Sequence, residues 1–105
     1  MKYCIIITTC PNNKKAKKLA LKMLKRKIAA CVQLSPIQSY YTWEKKVCND
    51  PEIRVLIKTK SNLFKAVKKF IEKHHGYDVP QIVKIPIEDG SKKYLNWIKE
   101  EACKK

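Results

Sequence analysis

Two strand-like runs lie almost back to back in this chain, residues 29–43 and 47–60, with only Glu44-Lys45-Lys46 between them. The first reads Ala29-Ala30-Cys31-Val32-Gln33-Leu34 and continues past Pro36 to Trp43, so a bend is expected at the proline. In the second, Ile53, Val55 and Ile57 alternate with Arg54 and Lys58, the period of a sheet with one buried face. A short polar connection between two such runs makes a hairpin. A strand of about 14 residues spans ~45 Å at about 3.3 Å per residue. A helix of about 16 residues covers only ~24 Å. The hairpin therefore overshoots the helices beside it. Its outer part, with Ile37, Tyr40, Tyr41, Trp43 and Val47, has no cover from its own chain. An apolar arm with open edges pairs with another chain or aggregates, so a homo-oligomer joined through the arms is expected. The competing reading is a twisted arm whose aromatic side chains cover each other.

The flanking segments complete a recognisable order. Residues 3–9 are an isoleucine- and threonine-rich strand, and Pro11-Asn12-Asn13 supplies turn and capping chemistry. Ala16, Leu19, Ala20, Met23, Leu24 and Ile28 then recur at helical spacing, with lysines between them. Ser61 is a candidate N-cap for a second helix carrying Leu63, Phe64, Val67, Phe70 and Ile71 and ending at Gly76. Residues 79–87 read as a fourth strand. Asp89-Gly90 turns the chain, and Ser91 can cap a last helix with Tyr94, Leu95, Trp97, Ile98 and Ala102 on its apolar stripe. The order β-α-β, β-α-β and a terminal helix predicts an α+β, ferredoxin-like fold: a split βαβ antiparallel sheet with helices on one face.

At 105 residues the chain is expected to form one domain, residues 1–105, burying roughly 65% of the surface its open form exposes. The apolar run Tyr3-Cys4-Ile5-Ile6-Ile7 is too short for a signal-peptide core or a membrane span, so no membrane partner is expected. The five cysteines, Cys4, Cys10, Cys31, Cys48 and Cys103, are odd in number and lack any C-x-x-C spacing, which points to reduced thiols in a cytoplasm. A net charge of +15 raises the question of nucleic acid. Arg26 and Arg54 are the only arginines, and lysine lacks the bidentate fork used to read guanine. The lysines read as spread over every polar face, so no specific nucleic-acid partner is expected.

His74-His75-Gly76-Tyr77-Asp78 gathers both histidines of the chain directly before a glycine. Neighbouring helical residues point about 100° apart, so the pair can share an ion only if the helix breaks at or just after it. Gly76, entering a left-handed conformation, would allow that break. Two readings stand open: histidines closing a helix against its dipole, or ligands of a metal or small molecule. Cys10 would complete a soft Cys/His site if it lay beside His74 or His75, and Glu44, Glu52 and Asp78 are acidic contributors a neighbouring subunit could bring. Nothing argues for an enzyme. The chain has two glycines in all and no phosphate cradle, no serine in a nucleophile elbow, and no orienting residue for a Cys10 or Cys31 pair with His75.

Several segments together resemble one known family. They are Thr8-Thr9-Cys10-Pro11, Ile28-Ala29-Ala30-Cys31-Val32, Tyr40-Tyr41-Thr42-Trp43-Glu44, Glu52 with Leu56-Ile57-Lys58-Thr59, His75-x-Tyr77-x-Val79-Pro80 and Tyr94-Leu95-x-Trp97. In order and spacing they resemble the CutA divalent-cation tolerance family over essentially the whole chain. The resemblance implies a ferredoxin-like subunit in a homotrimer, a cytoplasmic setting and a link to tolerance of copper or another divalent metal ion, with no obligatory cofactor. Some members use a strand-end cysteine beside paired histidines as copper ligands, so His74, His75 and, if it lies close enough, Cys10 are the candidate metal ligands here. The matching position is Thr8, with Cys10 two residues on. The chain departs from the family pattern at Gly76, where proline is usual, at Gln81, where glutamate is usual, and at Lys45, where glycine is usual. Two functions follow: a metal-responsive trimer that binds copper weakly through the histidine pair, or a scaffold similar to PII signalling proteins that binds a small ligand or partner protein in clefts between subunits.

Overall fold

The computed structural model describes residues 1–74 and 76–103. The elements run β1 (Tyr3–Cys10), α1 (Asn13–Lys25), β2 (Cys31–Trp43), β3 (Lys46–Lys60), α2 (Phe64–His74), β4 (Val83–Ile87) and α3 (Lys92–Glu101), with a 3-10 turn at Ser61–Leu63. The four strands form one antiparallel sheet in the order β2-β3-β1-β4. This is the expected α+β, ferredoxin-like arrangement.

Strand alternation divides the sheet into two faces. Cys4, Ile6 and Cys10 of β1 and Ile53, Val55 and Ile57 of β3 join Ala16, Leu19 and Met23 of α1 and Val67, Phe70 and Ile71 of α2 in the main core. The intervening residues Ile5, Ile7 and Leu56 point the other way and stay half-exposed. Val83 and Ile85 of β4, paired with Ile7 and Ile5, continue that face and are 44% and 43% exposed. Among the described residues, α3 covers part of it. Ile98 and Ala102 pack with Tyr3 and Ala30, and Lys58 Nζ lies 5.4 Å from the Tyr94 ring centroid. The sheet therefore carries α1 and α2 on one side and α3 at one end of the other.

The hairpin is as long as expected. Its register runs from Cys31↔Lys58 to Trp43↔Lys46, whereas β1 accompanies β3 only as far as Cys10↔Ile53. Beyond that pair, among the described residues, β2 and β3 pair as strands only with each other. Tyr40 at 70% and Val47 at 80% exposure mark the uncovered arm. Glu44 and Lys45 close it with φ of 50° and 64°, a two-residue turn that normally takes Asn-Gly.

Several local expectations need correction. Ser61 does not cap α2 with its side chain; it opens the 3-10 turn, and its N–H donates to Lys2 O at 2.9 Å. The fourth strand begins at Val83 rather than at 79. Its ladder with β1 runs out at Ile7↔Val83, and Pro80 has no N–H to extend it. Asn12 and Ser91 do cap as expected, accepting from Lys15 N at 2.9 Å and Tyr94 N at 3.3 Å. α1 ends with Lys27 at φ 58°, while Ile28 N bonds Met23 O and Lys27 N bonds Leu24 O. That is a Schellman closure with lysine where glycine is favoured.

Candidate functional site

The site grows from the meeting of the β1 end, the α2 end and the base of the arm. Alternation puts Cys10 on the helix side of β1, where it is buried. Burial raises its thiol above the ordinary range, and nearby Lys15 only partly offsets this. α2 ends with His74, whose ring lies 4.3 Å from that of Phe70 with the planes 43° apart. Arg26 covers the same Phe70 ring at 4.9 Å. Desolvation, then the positive charges of Lys22, Lys73, Arg26 and Lys18, lower the His74 pKa and favour neutral imidazole.

Cys10 and His74 line one small opening with Pro11, Lys15, Leu19 and Gly76. Its volume, about 20 Å³, holds little more than one water-sized sphere. The opening places Cys10 and His74 along one lining, with no Cys10–His74 hydrogen bond among the described residues. His75, the other expected ligand, lies outside the described residues. Among the described residues no group of three or more His, Cys, Asp or Glu side chains is arranged to hold a metal ion. The left-handed turn expected at Gly76 is set by its junction with His75 and lies outside the described residues. Among the described residues beyond its chain neighbours, a Cβ at Gly76 would meet Lys15 Nζ at 3.5 Å. Thr8, at the position the resemblance gives to a ligand cysteine, is fully buried, and its Oγ1 has no hydrogen-bond partner among the described residues.

Beside this opening lies a much larger cleft of about 990 Å³, which sequence reasoning did not anticipate. The arm contributes Tyr40, Tyr41, Trp43 and Glu52 to its wall, and the segment after α2 contributes Tyr77 and Asp78. Tyr77 donates to Glu52 Oε2 at 3.0 Å, and burial followed by that bond raises the phenol pKa. Tyr41 donates to Asp50, which pushes its pKa up to about 12. Aromatic residues at the hairpin tip signalled an exposed surface, but the Tyr77–Glu52 bond that helps fold the wall joins residues far apart in the chain. Glu44 closes the hairpin turn and does not line the cleft.

The split βαβ fold with its overlong hairpin defines a class, and comparison with known proteins places the chain within it. The family model for the CutA1 divalent ion tolerance protein matches residues 4–101. The divalent-cation tolerance protein CutA of Pyrococcus horikoshii is 36% identical over 100 residues, covering 95% of this chain and 98% of that protein. The chloroplastic protein CutA of Arabidopsis thaliana is 42% identical over 96 residues. The chain spans about half the length of the plant and mammalian relatives it matches, 53% for the Arabidopsis protein and 52% for the human one. Among solved structures, the periplasmic divalent cation tolerance protein CutA from Archaeoglobus fulgidus superposes with a TM-score of 0.94 at 37% identity, covering 95% of this chain and 98% of that one. CutA1 from Oryza sativa gives 0.93 at 38%, covering 96% and 94%. The chain belongs to the CutA1 divalent ion tolerance family.

Proposed function

We propose that this chain works as a homotrimeric, non-enzymatic protein of divalent-cation tolerance, with copper or another divalent metal ion held weakly by Cys10, His74 and His75. The observation that carries the metal reading is the shared opening of Cys10 and His74, which has room for an ion and no larger ligand. A thiol and a neutral imidazole form a soft donor set suited to copper and zinc. Weak binding fits the chemistry, since the buried thiol must lose a proton first and a carboxylate is missing at Gln81.

Self-association is supported by the half-exposed face of Ile5, Ile7, Leu56, Val83 and Ile85 and by the arm that runs past β1. Both leave apolar surface that a second copy would bury. A cytoplasmic setting accords with five free cysteines. Among the described residues no helix is long and apolar enough to cross a membrane. One domain over residues 1–105 accords with the single sheet that the helices cover.

The metal reading is tested by calorimetric titration with Cu(I), Cu(II) and Zn(II) of the chain and of a His74→Ala, His75→Ala variant. A clear loss of affinity in the variant is expected; unchanged binding would sink the assignment. The alternative reading, a scaffold similar to PII proteins, is favoured by the aromatic-lined cleft of about 990 Å³, far too large for an ion. It predicts that small molecules, not metals, raise the melting temperature.

A further inference from the structure

The positive charge is distributed unevenly once the chain is folded. Residues 12–27 hold eight lysines and arginines and no acid, and residues 61–74 hold four lysines against Glu72 alone. The helix layer thus carries half of the 24 cations and one of the nine acids. Lys14, Lys15, Lys17, Lys18, Lys22, Lys25, Lys65, Lys68, Lys69 and Lys73 are all exposed. The lysines that read as scattered along the sequence converge on one side of the sheet.

Within that layer, Lys14, Lys18, Lys22 and Arg26 form an i, i+4 ridge on α1, and Lys65, Lys69 and Lys73 form another on α2. Lys18, Lys22, Arg26 and Lys73 all act on His74, so the two ridges meet where α1 passes α2. Helix stability does not account for the pattern. Like charges four residues apart each cost a few tenths of a kcal/mol. No acid occupies the first turn of α1 or α2, where one would favour the helix dipole, and Lys14 and Lys15 stand in the first turn of α1 instead.

We propose that this two-helix face binds the phosphate backbone of nucleic acid without reading its sequence. Lysine ammonium groups serve as point charges for phosphate, and binding gains from release of condensed counterions. Of the arginines, only Arg26 lies on this face, where it covers Phe70, so base-edge recognition is not part of the interaction. The face lies opposite the apolar sheet surface and stays outward when that surface is buried against other copies. An anionic lipid surface is the less fitting partner. The apolar stripe of α1 is spent in the core, and Leu21, 57% exposed, with Leu24 beside it, leaves little to insert.

The test is fluorescence anisotropy with a labelled 20-base-pair duplex of random sequence, titrated at several salt concentrations. The full chain is expected to bind with a steep negative log–log salt slope that is the same for unrelated sequences. A Lys14→Gln, Lys18→Gln, Lys22→Gln variant is expected to lose about 0.9 of slope for each phosphate contact removed. A Lys92→Gln, Lys93→Gln, Lys99→Gln variant changes the charge equally on α3 and should bind like the parent. Equal loss in both variants would reduce the effect to net charge and overturn the proposal. So would tighter binding to vesicles of anionic phospholipid than to the duplex at the same salt.

Discussion

Tyr77 donates a 3.0 Å hydrogen bond to Glu52, tying the segment after α2 to the base of the hairpin arm across 25 residues of sequence. Together with the Tyr41 bond to Asp50, it makes one wall of the large cleft depend on two protonated phenols. Both groups have folded-state pKa values above the ordinary 10, Tyr41 at about 12. Their contribution to stability is fully present below pH 10 and is lost as pH rises through the folded values. Urea melts of the parent and of a Tyr41→Phe, Tyr77→Phe variant at pH 8 and pH 11 should show the gap between them narrowing at the higher pH. A constant gap would mean that these bonds do not hold the arm.

His74 gives the opposite sign at the acid end. Its folded pKa is depressed, so its contribution is present above about pH 6.5 and is lost as pH falls through the folded value. A His74→Gln variant should therefore lose less stability than the parent between pH 7 and pH 5. NMR titration of the His74 ring protons checks the direction independently, with a midpoint below that of a denatured control.

Metal binding at Cys10 requires removal of a proton from a thiol whose pKa burial has raised. Apparent Cu(I) affinity should therefore climb about tenfold per pH unit between pH 6.5 and 8.5, the signature of one proton released. A pH-independent affinity would point to ligands that are already deprotonated.

Three positions work against the fold and give predictions of increased stability. Lys27 and Lys45 hold φ of 58° and 64°, where glycine costs least. Lys27→Gly and Lys45→Gly should each stabilise by about 1 kcal/mol. Thr8 buries a hydroxyl without a partner among the described residues, so Thr8→Val should also stabilise by about 1 kcal/mol. Thermal melts at fixed protein concentration would show all three as upward shifts.

The fold was legible in the sequence where patterns are local. Alternation in β3, helical spacing in α1 and the caps at Asn12 and Ser91 each depend on a few neighbouring residues. The misses depended on distant partners. Val79 to Ile82 alternate like a strand, but β1 offers no pairing beyond Val83. Ser61 has cap chemistry, yet its N–H is engaged by Lys2 and the chain tightens into a 3-10 turn. Of the candidate site, Cys10 and His74 could be named from residue type, while their shared opening needed the tertiary fold. The aromatic cleft and the lysine face were hidden because each is assembled from segments tens of residues apart.

Cys10 and the histidine segment are proposed to hold a metal together. X-ray absorption on the Zn(II)-loaded chain tests it most directly. One sulfur scatterer is expected at about 2.3 Å with imidazole nitrogen at about 2.0–2.1 Å, the sulfur disappearing in Cys10→Ser. A shell of oxygen and nitrogen alone, identical in the parent and in Cys10→Ser, would contradict it.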